Sequence, residues 1–93
     1  MQSQNTTNQV VEIPLTQGKV ALIDAADLEK VSPYRWYARK IGKTWYAQRN
    51  AVNGRKRITL SLHRVIMDAP SDKMVDHIDN NGLNCCRDNL RFC

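Results

Sequence analysis

Between Tyr34 and Leu62 the sequence carries three short runs rich in aromatic and β-branched residues: Tyr34 to Arg39, Thr44 to Arg49 and Arg57 to Leu62. Runs of this kind, bounded by turn residues, read as β-strands, and the three together read as one antiparallel meander. Ile41-Gly42-Lys43 supplies the first turn, and the second loop contains Asn53-Gly54, a pair suited to the positive φ angles of tight hairpins. Along the middle run the period of two points Trp45 and Ala47 one way and Tyr46, Gln48 and Asn50 the other. One face is therefore expected to pack and the other to be polar.

The flanks extend this pattern. Val10 to Pro14 and Lys19 to Ile23, joined by Thr16-Gln17-Gly18, predict an opening hairpin. Asp24 is placed to cap a short helix over Ala25 to Val31, which Ser32-Pro33 ends because the residue before a proline leaves the helical region. Leu62 to Met67 suits another short helix, ended by Asp68-Ala69-Pro70. Met74 to His77 then reads as a brief strand, Asp79-Asn80-Asn81-Gly82 as a turn or loop, and Leu90 to Phe92 as a last strand. The fold class is α+β, divided into a flexible, uncharged polar tail (1–9), a β-rich basic region (10–67) and an irregular C-terminal part (68–93). No repeat and no long linker is visible.

Ninety-three residues make one small domain with a wet surface and no deep substrate pocket. No apolar run approaches the length of a membrane span, so a soluble protein without a membrane partner is expected. Cys85, Cys86 and Cys93 form neither a spaced disulfide framework nor the C-x-x-C pairs of a zinc knuckle; small hydrophobes in a reducing cytosol is the reading they favour. With only one Phe in the chain, Trp36 and Trp45 are expected in the core rather than as base-stacking platforms.

Charge is segregated. Lys30, Arg35, Arg39, Lys40, Lys43, Arg49, Arg55, Lys56, Arg57 and Arg64 fall within residues 30–67, where there is no acid; all nine acids lie outside. A field of one sign attracts polyanions and costs self-repulsion. The plain alternative is a solvated positive face without a partner. Basic residues interleaved with Trp36, Tyr37, Trp45 and Tyr46 on a small sheet point to DNA, with cations on phosphates; Arg87 and Arg91 are further candidates.

Chemistry is concentrated in Leu62-His63-Arg64, Val75 to Leu83 and Arg87 to Arg91. Asp76 and His77 could divide labour at the end of a strand, a carboxylate holding a hard cation while an imidazole takes a proton from water. Taken alone, the pair is equally compatible with a structural role.

In order, the chain reads L-H-R-x-I-M, then V-D-H-I-x-x-N-G-L, then R-x-N-L-R-x-C. With this pattern, Ile13 to Cys93 resembles the phage-type HNH homing endonucleases, the group with an AP2-like β-rich DNA-binding region. The resemblance implies a ββα-metal motif in which His77 is the general base, Asp76 a ligand of one divalent ion, Mg2+ or Mn2+, and Asn89 the brace of the loop between the two strands. His63 and Arg64 would flank this site, His63 as a catalytic residue or as a hydrogen-bonded structural histidine. A phage- or prophage-encoded protein in the cytoplasm of a bacterial host is also implied.

Two departures from the family pattern matter. Gly82-Leu83-Asn84-Cys85-Cys86-Arg87 stands where the family commonly has G-L-D-N-R-R. The family's closing helix, with its second metal ligand, would fall beyond Cys93, so the motif is read as C-terminally truncated, with weak metal binding and impaired cleavage unless another chain supplies the helix. Two functions follow as expectations: an HNH-type DNA endonuclease, and a catalytically silent binding module acting as a DNA-binding factor or as an inhibitor of a host nucleoprotein complex.

Overall fold

The computed structural model describes residues 9–93, so the tail expected over 1–9 lies outside the described residues except for Gln9. The carbonyl of Gln9 accepts the N–H of Ala25 at 2.9 Å, which closes the open end of the first hairpin. That hairpin pairs β1 (Val10–Pro14) with β2 (Val20–Asp24), in the expected place. A 3-10 turn (Ala25–Asp27) runs into α1 (Leu28–Val31). Asp24 does not cap it through its side chain; Oδ2 instead accepts the N–H of Arg87 at 3.0 Å. A donor brought from the far end of the chain has taken the acceptor that local sequence assigned to the helix.

The meander forms as β3 (Tyr37–Ile41), β4 (Thr44–Asn53) and β5 (Lys56–Ser61), in that spatial order. Gly42 and Gly54 carry the positive φ that their two turns need, 62° and 66°. Two boundaries differ from expectation by three residues or more. β3 starts at Tyr37 because residues 32–36 fold back over α1, where the Trp36 indole N–H donates to the Val31 carbonyl at 2.9 Å and its ring enters the core. The β4–β5 hairpin continues to Asn53↔Lys56. Its tip is wet on both faces, so backbone pairing persists where the hydrophobic alternation has gone.

After α2 (Leu62–Ile66) the chain forms β6 (Val75–His77) and β7 (Leu90–Phe92), an antiparallel pair in register Val75↔Phe92, Asp76↔Arg91 and His77↔Leu90, with a 3-10 turn (Arg87–Asn89) leading into β7. One core joins everything: Ile13, Ala21 and Ile23 of the hairpin meet Trp36, Ala47, Leu62, Ile66, Val75, Cys85 and Leu90. The C-terminal part is tied to the N-terminal hairpin through the backbone as well, since Leu22 donates to Leu83 O and accepts from Cys85 N, both at 2.8 Å. The regions 10–67 and 68–93 thus share one hydrophobic interior. Cys85 lies within it, Cys86 is half-buried and Cys93 is exposed. No helix among the described residues is long and apolar enough to cross a membrane.

A cleft between the meander and the last hairpin

Beyond Ser61, the last β5 residue paired with β4, the chain turns into α2 and leaves an edge of β4 open near Trp45 and Tyr46. The loop joining β6 to β7 fills this gap. Gly82 approaches so closely that a Cβ there would lie 2.2 Å from the Trp45 carbonyl oxygen and 2.8 Å from the Tyr46 ring. The space beside it is a cleft of ≈ 270 Å³ lined by Ile41, Tyr46, Gln48, Ser61, His63, Met74, Val75, Asp76 and His77. The Tyr46/Gln48 side of β4, expected to be simply polar, is therefore half-covered, and Gln48 keeps only 8% of its exposure.

β6 presents Asp76 and His77 at this cleft. Asp76 is half-exposed, and its Oδ2 accepts Arg91 Nη2 at 3.0 Å across the register pair. His77 is buried; its ring stands edge-on to His63 at 4.6 Å between centroids and 5.8 Å from Tyr46, and Nε2 lies 3.8 Å from Cys85 Sγ. Burial lowers the His77 pKa against the opposing pull of Asp79 and Asp76. Burial, then the neighbouring His77 and Arg64, push His63 down to about 4. Both imidazoles are consequently neutral at pH 7. Cys85 is pushed up to about 12 by burial, so a neutral thiol, not a thiolate, faces His77.

Asn89 ties together the loop between β6 and β7. Its Oδ1 accepts the N–H of Asp79 at 3.0 Å, and its Nδ2 donates to Asp79 Oδ1 at 2.8 Å and to the Asn84 carbonyl at 2.9 Å. Asp79 Oδ1 also accepts the N–H of Asn81, and Oδ2 accepts Asn84 Nδ2. The Asn81 N–H, followed by the Asn84 and Asn89 amides, holds the Asp79 carboxyl below its ordinary range. Asn80 takes φ 63° at the tip, a conformation asparagine tolerates better than most residues.

The expected DNA-binding cations divide by environment. Arg35, Arg39, Lys40, Lys43, Arg55, Lys56 and Arg57 are exposed on the meander or just before it. Arg49 instead lies over the Tyr34 ring, 3.7 Å from its centroid, and Arg64 donates to the carbonyls of Lys73 and Pro70. Arg87 grips buried Asp27 through Nε at 2.9 Å and Nη2 at 2.7 Å, while Arg91 holds Asp76. These last four side chains are already engaged within the fold. Sequence reasoning gave Tyr46, Gln48 and Cys85 no place beside Asp76 and His77. For Tyr46 and Gln48 the available signal was their position on the same strand face; for Cys85 there was none.

Among the described residues, no group of three or more His, Cys, Asp or Glu side chains converges as a metal cage. Asp76 offers one carboxylate with one oxygen free of Arg91. Such a donor suits magnesium, which keeps most of its ligands as water and substrate phosphate, and does not suit the closed tetrahedral shell of structural zinc.

No family model and no solved structure matches the chain. A curated relative from Acanthamoeba polyphaga mimivirus, named an uncharacterized HNH endonuclease, is 34% identical over 78 residues, which cover 82% of this chain and 40% of the relative. The chain thus spans well under half the length of the relative it matches, and the similarity supports a relationship to HNH-type nucleases.

Proposed function

We propose that the chain acts as an HNH-type DNA endonuclease with its working centre in this cleft. The observation carrying this reading is the pairing of a buried, neutral His77 with the half-exposed carboxylate of Asp76 on one short strand, beside a loop braced by Asn89. A neutral imidazole can accept a proton, and the burial that lowers the His77 pKa favours that form. His77 takes the proton of the attacking water, His63 and Tyr46 fix its ring, and Asn89 holds the loop that positions β6 against β7. Asp76 would hold the divalent ion, Mg2+ or Mn2+, which when bound supplies charge stabilisation at the leaving oxygen. The exposed cations of the meander neutralise DNA phosphates.

A second reading, a binding module with a silent site, is favoured by one observation: Arg91 occupies one oxygen of the carboxylate a metal would need. Nicking of supercoiled plasmid in Mg2+ or Mn2+, by wild type and by His77→Ala, separates the two. Nicking that needs the metal and disappears in His77→Ala is the expected result. No nicking, with salt-sensitive DNA binding intact in both proteins, would leave binding alone.

A further inference from the structure

Cross-strand register sorts the side chains of the meander onto two faces. Tyr37↔Gln48↔Ser61, Asn50↔Thr59, Val52↔Arg57 and Arg39↔Tyr46 lie on the same side. This side runs without a break from the hairpin tip to Tyr46, Gln48 and Ser61, which line the cleft. On the opposite side, Ala38 and Ala47 are buried, Arg49 covers Tyr34, and Lys40 and Lys56 are the exposed cations. The two sides carry similar charge, but only the first leads to Asp76 and His77.

A second, independent observation concerns hydrogen bonding. Among the described residues Gln48 Oε1, His63 Nδ1 and Arg49 Nε are buried without a hydrogen-bond partner, and Gln48 and His63 both line the cleft. Buried polar atoms without a partner are uncommon because each has lost its water for nothing, so two in one cleft call for a polar occupant.

We propose that the backbone of one nucleic-acid strand runs along the cleft-side face of the meander, over Arg57, Thr59, Asn50 and Arg39, and enters the cleft where Gln48 and His63 meet a polar atom of the nucleotide. The proposal rests on the nucleic-acid reading above and adds a path to it. Charge is complementary: residues 30–67 contain no acid to repel phosphate. Length fits as well, since the strand from Tyr46 to Val52 covers roughly 20 Å, the axial rise of roughly six base pairs of duplex. The Tyr37 hydroxyl donates to Asn50 Oδ1 at 3.3 Å and orders the middle of the face before anything binds.

The test compares two double variants of equal charge loss: Arg39→Ala with Arg57→Ala on the cleft side, and Lys40→Ala with Lys56→Ala on the other. Affinity for a labelled DNA duplex of about two helical turns is measured by anisotropy over a salt series. The cleft-side pair is expected to weaken binding about tenfold or more and to reduce the salt slope by about 2, and the opposite pair by less than about threefold. A photo-crosslinker at Thr59 should capture DNA and one at its neighbour Ile58 should not, which keeps the test decisive if a double variant folds poorly. Equal losses, a larger loss from the opposite pair, preferential capture from Ile58 or a wild type that does not bind DNA would each overturn the path. Plasmid nicking reports separately: a selective cleft-side loss without nicking keeps the path and defeats the nuclease reading, while nicking with equal losses does the reverse.

Discussion

Arg87 is the residue whose role changes most between sequence and structure, and removing it should destabilise the protein rather than release DNA. Its guanidinium makes two charge-assisted bonds to Asp27, whose side chain keeps 6% of its exposure while that of Arg87 keeps 48%. Removing one partner of a buried pair leaves an uncompensated charge and costs about 3–5 kcal/mol. Because the arginine half is open to water, the loss for Arg87→Ala is placed lower, at about 2–4 kcal/mol. For a domain this size that lowers Tm by about 10–20 °C. The assay is a double-mutant cycle of Arg87→Ala, Asp27→Ala and their combination, read by urea unfolding. A coupling energy of about 1–3 kcal/mol is expected, the double variant losing less than the two single losses together. In the cold, where the variant remains folded, its affinity for DNA should stay within about twofold of wild type. A loss below about 0.5 kcal/mol, absence of coupling, or a large affinity loss in folded protein would refute the structural role.

The remaining predictions concern acid and packing. Unfolded His63 titrates near its ordinary value and the folded residue near 4, so the unfolded state binds more protons between these limits. Stability from this group is fully present above pH 6.5 and is lost as pH falls towards 4, by about 2 kcal/mol after allowing for its partial exposure. Urea melts from pH 7 to pH 4.5 should show that slope in wild type and a shallower one in His63→Gln; identical slopes would defeat the assignment. Gly82→Ala drives a methyl group into the Trp45 carbonyl, backbone that cannot rotate away, and should destabilise by about 2–3 kcal/mol in a thermal melt. A neutral outcome would mean that the loop does not sit against β4.

Most of the secondary structure was legible because it follows from local physics. The positive φ at Gly42 and Gly54, the stop at Ser32-Pro33 and the β-branched runs between them act within a few residues, so reading along the chain finds them. The Asp76-His77 pair and the bracing Asn89 were legible through a motif, and the structure brings them to one hairpin. The depth of the site was not. That Tyr46 and Gln48 form part of a cleft, and that Gly82 must be small, depends on where a loop some forty residues away comes to rest.

The sequence by itself determined the order of the strands, their turns and the acid-free basic stretch, since each is set by local conformational preference or plain charge count. Only the tertiary structure decided which cations are free. Arg39 and Arg57 stand in solvent, while Arg64 holds the carbonyls of the loop that follows it, Arg91 the Asp76 carboxylate across the last hairpin, and Arg87 the Asp27 carboxylate from the far end of the chain. A long flexible cation binds whichever oxygen folding places within its reach, and that choice is made by packing, which no local pattern encodes.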